Sequence, residues 1–289
     1  MDISALQSFL AVAETGSFSR AAERVFLTQP AVSKRIAALE GQLGARLFDR
    51  IGKRAQLTPA GTALFEHARR LVRELDAVKR SIADLSGTIG GELRLATSHH
   101  IGLHRLPEPL RKFHKAHPQV RLDLRFMDSE QACNDVARGE IELAIVTMPP
   151  KLEPPLKGIV VWRDPLDIVV ARHHPLAKTK NVQLKALAAY PAILPGPGTY
   201  TREIILSALG DWRNKIDVGM ATNYLEVLKM LTSIGLGWSA LPRTMIDGAL
   251  SVVQIKKMKI ERRLGIVTHS ARTLSNAAQA LIHTVHPRA

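Results

Sequence analysis

Apolar residues recur through the first ninety positions with the spacing of helices, three short and one long. Ile3, Leu6, Phe9, Leu10 and Ala13 share one helical face, and Gly16 supplies a stop. Phe18, Ala21, Ala22 and Val25 mark a second short helix, whose small alanines let another helix approach closely. Thr28 is a good N-cap for a third, with Gln29 and Pro30 in its first turn. Val32, Ile36, Leu39 and Leu43 form its apolar stripe, and Gly44 ends it. Two short helices joined by a tight turn and packed on a preceding helix make a helix-turn-helix. The run from Leu47 to Leu57 predicts two short strands around a basic hairpin tip, a wing. Thr58-Pro59 then caps and starts a helix that runs to about Leu85.

The third helix turns its stripe inward and offers Gln29, Pro30, Ser33 and Lys34 on the other face, near its N-terminus. Gln can pair with adenine, Lys with guanine O6/N7, and Ser with either. Arg35, rotated away, suits a phosphate, and Arg50, Lys53 and Arg54 of the wing suit the backbone or the minor groove. On an isolated amphipathic helix these residues would be an ordinary solvated face; the surrounding arrangement makes them a DNA-reading surface. On the long helix Leu64, Ala68, Leu71, Leu75, Val78, Ile82 and Leu85 alternate spacings of four and three, a heptad seam that asks for a partner helix. At ~1.5 Å per residue that helix would be about 40 Å long, too long for a sixty-residue domain to bury. A symmetric dimer, presenting two recognition helices to a two-fold related site, is the expectation.

Ser86-Gly87-Thr88-Ile89-Gly90-Gly91 is a small, flexible break and a domain boundary. Beyond it strand-like runs (Leu93–Ala96, Val120–Phe126, Leu143–Val146) alternate with helical ones, one of them around Arg105–His114. A second series runs through Ile168–Val170, Ala192–Leu194 and Ile216–Val218. Leu264–Val267 would return the chain to the first lobe, which closes with a helix over Leu274–Val285. The reading is multidomain: an all-α winged helix-turn-helix over 1–58, a linker helix and hinge over 59–90, and an α/β effector domain over 91–289. Its first lobe would span about 91–149 and 267–289, its second about 150–266, an arrangement resembling a periplasmic binding protein. In open α/β sheets ligands sit beyond the carboxyl ends of strands, near helix N-termini. Thr97, Ser98, His99, His100, Thr147, Gly198, Thr199, Tyr200, Thr201, Thr222 and Asn223 occupy such places. Their hydroxyls and amides suit a small polar or anionic molecule, although helix capping alone would also explain each of them.

Composition changes this picture little. The chain carries 40 Lys+Arg against 26 Asp+Glu, a formal charge of +14, which favours a polyanionic partner. Residues 1–90 hold only about +4 of it, so net charge does not locate the DNA site and fits an anionic effector equally well. Cys133 is the only cysteine, which rules out an intrachain disulfide and suits a reducing cytoplasm. It lacks a resolving partner, so a structural thiol is expected rather than a redox sensor. His100 and His104 stand four apart, but the sequence puts no carboxylate or thiolate beside them, so no metal site is expected. The start does not read as a signal peptide, and no run of about 18 uncharged apolar residues predicts a transmembrane helix, so no membrane partner is expected. Walker, zinc-protease and Gly-x-Ser-x-Gly motifs are missing, which argues against an enzyme.

The segments Phe18–Glu23, Thr28–Ile36, Leu39-Glu40, Leu43-Gly44, Leu47–Arg50 and Leu57–Gly61 resemble, in dense order, the LysR-type transcriptional regulators. Gly91–Leu95, Leu106-Pro107, Phe113, His117–Val120, Gly139–Ile145 and Gly235–Pro242 continue the resemblance, so it covers essentially the whole chain. It implies that Gln29, Pro30, Ser33 and Lys34 contact bases in double-stranded promoter DNA, with Arg35, Arg50, Lys53 and Arg54 in support. It further implies a dimer of dimers, a small-molecule effector in the cleft, no cofactor besides, and RNA polymerase as a further partner at the promoter. Closure of the lobes around the effector would change the angle between the DNA-binding arms.

Overall fold

The computed structural model describes residues 2–51, 54–84 and 89–287; among side chains it further excludes 50, 51, 73, 76, 77 and 79–84. Lys53 and Leu85 therefore lie outside the described residues, as do the side chains of Arg50 and Ile82. The chain divides into two compact units, Met1–Ser86 and Gly87–Ala289.

The first unit opens with α1 (Ile3–Thr15), α2 (Phe18–Arg24) and α3 (Gln29–Leu43). Gly16 and Gly44 end α1 and α3 in the left-handed conformation, at φ 62° and 65°, where a side chain would be strained. Ser17 caps α2 by accepting from the Arg20 amide. Thr28 stands at the N-cap position of α3 but makes no side-chain cap bond, so its capping role is confined to its backbone. The wing is β1 (Phe48–Ile51) paired antiparallel with β2 (Arg54–Leu57). Phe9, Phe18 and Phe48 meet edge-on or tilted, with Phe48 5.3 Å from Phe9 and 5.8 Å from Phe18, and so seat the wing on the first two helices. The Glu40 carboxylate accepts from the Leu47 and Phe48 amides at 2.7 and 3.3 Å, fixing the start of the wing to α3.

Helix α4 (Pro59–Asp84) starts on a Thr58 cap, whose hydroxyl accepts from the Gly61 amide at 3.0 Å. Gly61 is required there: a Cβ would lie 2.2 Å from the Leu47 carbonyl oxygen. The expected seam on α4 divides in two. Ala68 is fully buried in the unit's own core, which leaves it no surface for a partner helix, while Leu64, Phe65 and Val72 are half-buried against that core. The reason is that α4 begins against α1 and β2, and its first turns complete their core. Farther along, Leu71 and Val78 are exposed. The first turns of α4 thus belong to the core of the first unit, and its later turns run on beyond that core.

The second unit continues with β3 (Gly91–Thr97), α5 (His99–His104), α6 (Pro107–Ala116), β4 (Val120–Phe126), α7 (Ser129–Ala137) and β5 (Leu143–Thr147). The helix expected around Arg105–His114 is α6, shifted by two residues to start at Pro107, and a separate short helix, α5, precedes it. The long strand β6 (Leu156–Ala171) precedes α8 (Leu184–Leu187), β7 (Ala192–Leu194), α9 (Tyr200–Ala208), β8 (Val218–Ala221) and α10 (Leu225–Ser233). The chain then runs through β9 (Ser239–Pro242), β10 (Leu250–Val252), β11 (Ile260–His269) and α11 (Asn276–Val285). Ile216 and Asp217 precede β8 instead of belonging to it.

The main sheet has the order β10-β6-β11-β5-β3-β4, with β9 also on β6. β3, β4 and β5 run parallel; β11 pairs antiparallel with both β5 and β6. β7 and β8 form a small parallel sheet, tied to Trp238 by the Ala192 bridge. Apolar clusters lie on both faces of each lobe. The register moves the lobe boundaries. Leu156–Trp162 lie in the first lobe against Leu264–His269, and Leu166–Ala171 lie in the second against β9 and β10. The chain thus crosses between lobes near residues 163–165 and 261–263, rather than at 150 and 267. A bulge sits beside the crossing: Leu264 faces Trp162 and Gly265 faces Val160, leaving Val161 extra. A Cβ on Gly265 would lie 2.3 Å from the Ile159 carbonyl oxygen.

Candidate functional site

Helix α3 buries Val32, Ile36 and Leu39 and leaves Gln29, Pro30 and Lys34 exposed, with Ser33 and Arg35 half-buried. The Gln29 amide donates to the Ser33 hydroxyl at 2.9 Å, so two of the expected base-reading side chains hold each other in place across one helical turn. Arg54 is exposed on β2. An exposed polar helix face followed along the chain by a two-stranded wing is the arrangement a major-groove reader needs. The turn before α3 holds Phe26 at φ 56° with its ring 94% exposed, a position the sequence pattern gave no reason to single out.

In the second unit a cavity of about 470 Å³ opens between the lobes. Its wall includes Ser98, His99, His100, Thr147, Thr199, Thr201 and Asn223, all expected there from the sequence. Four expected residues are not on the wall. The Thr97 hydroxyl points into the sheet, donating to the Ile145 carbonyl at 2.8 Å, because β3 and β5 are neighbours there. Tyr200 packs beside the cluster of Ala132, Cys133 and Val136. Gly198 and Thr222 lie in loops, each next in the chain to a wall residue, Thr199 and Asn223.

The wall also contains residues that sequence reasoning missed, among them Phe126, Asp128, Ser129, Glu130, Tyr224 and Arg262. The first turns of α5, α7, α9 and α10 all contribute, so four helix N-termini, each partially positive, converge on one space. Arg262 is buried on β11; its guanidinium binds the Asp164 carboxylate directly across the strand pair and donates to the Thr201 hydroxyl at 3.3 Å. Arg105 adds a second ion pair to Asp164 at 3.4 Å.

Side chains of the two lobes meet across the cavity. The Asn223 amide donates to Asp128 at 2.7 Å, and its carbonyl oxygen accepts from the Gly196 amide at 2.8 Å. The Glu130 carboxylate accepts from the Tyr200 amide at the start of α9. Burial raises the Glu130 pKa, against the pull of that bond. His100 is 5% exposed and held neutral: burial, then the Arg262 charge, lower its pKa to about 4. The His99 ring meets Phe126 in a tilted contact at 5.4 Å and Tyr224 edge-to-face at 4.9 Å. Burial pushes the Cys133 thiol up to about 11, so it is a thiol at neutral pH and a poor nucleophile, as expected of a structural cysteine.

The premise behind expecting no metal site does not hold. Glu226, in the first turn of α10, reaches the His100–His104 pair from the other lobe, 3.1 Å from His104 Nε2. Among the described residues no helix is long and apolar enough to cross a membrane.

Comparisons with known proteins agree with this architecture. Residues 3–62 match the bacterial regulatory helix-turn-helix family of LysR type, and residues 86–289 match the LysR substrate-binding domain. The transcriptional activator CmpR of Synechocystis is 31% identical over 280 residues, covering 95% of this chain and 91% of its own. A full-length OxyR variant from Pseudomonas aeruginosa superposes with a TM-score of 0.74 at 21% identity, over 99% of this chain and 94% of that one. Full-length CbnR in complex with its target DNA superposes with a TM-score of 0.70 at 23% identity, over all of both chains. A DNA-reading unit joined to an effector-binding unit, with relatives that regulate transcription and are not enzymes, leaves one conclusion: the chain belongs to the LysR family of transcription regulators.

Proposed function

We propose that this regulator reads promoter DNA with Gln29, Pro30, Ser33 and Lys34, supported by Arg35, Arg50, Lys53 and Arg54 on the backbone or minor groove, and that a small anionic effector governs it from the interlobe cavity. The observation that carries the effector class is the convergence of four helix N-termini and the buried Arg262 on a cavity of about 470 Å³. Asp128 and Glu130 hold anion-like positions there, bound to Asn223 and to the start of α9, and a carboxylate or phosphate effector competes for those donors. Self-association through the exposed part of α4, at Leu71 and Val78, places two reading faces on one DNA site. A second interface builds the tetramer, RNA polymerase is met at the promoter, and the setting is the cytoplasm.

Two experiments test this. In salt-dependent gel shifts on the upstream region of its own gene, Ser33→Ala should lose preference over random DNA, while Arg54→Ala should weaken both. Unchanged selectivity in Ser33→Ala would refute the reading face. In a thermal-shift panel of small carboxylates, phosphates and neutral metabolites, anions should stabilise the wild type, by about 2.7 kcal/mol at a hundred times Kd. They should stabilise Asn223→Ala less; stabilisation by neutral compounds alone would overturn the anion assignment.

A further inference from the structure

We infer that His100, His104 and Glu226 form a site for a divalent transition-metal cation that joins the two lobes beside the effector cavity. The three donor atoms, one from each side chain, lie within 4.8 Å of one another. His100 and His104 stand four apart on α5 and so share one face of that helix, their rings 4.7 Å apart. Glu226 comes from α10 in the other lobe, its Oε1 3.8 Å from His100 Nδ1 and 3.1 Å from His104 Nε2. Tetrahedral zinc with bonds of about 2.0–2.1 Å separates its donors by roughly 3.3 Å. The measured distances bracket that value, and the longest gap closes by rotation of His104 and Glu226, whose side chains are 48% and 41% exposed.

An independent observation concerns His100. Its ring is almost wholly buried, yet neither Nδ1 nor Nε2 has a hydrogen-bond partner among the described residues. Buried polar atoms are nearly always satisfied, and a side chain with both ring nitrogens idle asks for a ligand. The Glu226 oxygen at 3.8 Å is too far to serve as a hydrogen-bond acceptor but close enough to share a cation with Nδ1. Asp164, which pairs with both Arg105 and Arg262, and Glu226 oppose the Arg262 charge, the strongest of the charges acting on His100. Two imidazoles and one carboxylate select borderline cations such as Zn²⁺, Co²⁺ or Ni²⁺ over Mg²⁺ or Ca²⁺. Three protein donors leave a fourth position for water or an anion. The proposal does not depend on the identity of the effector or on the DNA-reading face.

The test uses the full chain, stripped with a chelator and titrated with Co²⁺ and with Zn²⁺. One equivalent of Co²⁺ should bind per chain with visible absorption of a four-coordinate ion, and Zn²⁺ should displace it. Loss of an outer-shell partner costs 10–100-fold in metal affinity, so loss of a direct ligand should cost at least about tenfold. His104→Ala and Glu226→Gln, at half-exposed positions in different lobes, should each show that loss while DNA binding stays intact. The rise in Tm given by Zn²⁺ should shrink in both at the same Zn²⁺ concentration. Unchanged affinity in either variant overturns the site, as does equal competition by Mg²⁺ or the absence of saturable binding to the wild type.

Discussion

The helix face proposed to read DNA and the cleft proposed to hold the effector are built in opposite ways. The first comes from one short stretch of chain, helix α3 and the paired strands β1 and β2 that follow it. The second is assembled from segments between Ser98 and Arg262, brought together by a sheet that two strands share across both lobes. The reading face is an exposed surface; the cleft opens past exposed Phe126, Asn223 and Tyr224 onto a buried pair of opposite charges, Arg262 and Asp164.

The largest contrast should appear at Asp164. Removing it by Asp164→Ala leaves Arg262 charged and buried, which costs about 3–5 kcal/mol. For a unit of this size the cost corresponds to a fall of roughly 10 °C in the Tm of the effector unit, readable by calorimetry. A fall of under ~2 °C would mean the cleft is no more interdependent than the reading face. At Lys34 the prediction inverts. Lys34→Ala should leave Tm within about 1 °C, since the side chain is exposed, yet remove roughly 1–3 kcal/mol of discrimination between specific and random DNA.

A smaller effect sharpens the comparison from the other side. Phe26 stands at φ 56° with its ring in solvent, a conformation that costs a non-glycine residue about 1–2 kcal/mol and that Asn tolerates better. Phe26→Asn should raise the Tm of the first unit by a few degrees at most. Unchanged or lower stability would show that the ring is held by something besides its own chain.

The smallest effect is expected at Glu130. Its pKa is raised by burial, so the folded state holds the proton more firmly than the unfolded chain. The ionised carboxylate therefore costs stability above its folded pKa, and the cost disappears as pH falls below the ordinary value of 4.5. Glu130→Gln keeps an acceptor for the Tyr200 amide and should gain about 1–2 °C at pH 7 but nothing near pH 4. An equal gain at both would assign the effect to packing.

These differences also explain what could be read from the chain alone. The winged helix-turn-helix was legible because helical periodicity, Gly16, Gly44 and the basic hairpin are local signals. In the cleft, Ser98 and Thr199 were legible because strand ends and helix starts mark them. Arg262 was hidden in the run Ile260-Glu261-Arg262-Arg263-Leu264, which looks like a charged surface. Its place was nonetheless written there: alternation puts Ile260, Arg262 and Leu264 on one buried face, just as Trp162, Asp164 and Leu166 share a face of β6. An opposite charge at an inward position of each of two strands was the available clue. The first half of β6 was obscured by Gly158 and Pro165, residues that usually interrupt strands. Glu226 left no trace, because nothing local ties it to histidines more than a hundred residues earlier.

The crossing strands carry a consequence of a mechanical kind. β6 and β11 run unbroken from one lobe into the other, with the Val161 bulge and Gly265 just to one side of the crossing. Such a ribbon resists stretch and shear, since either would tear its ladder, and yields to torsion, most easily where the ladder is already interrupted. The two strands thus couple the lobes as a torsion element, in which twist is the softest relative motion.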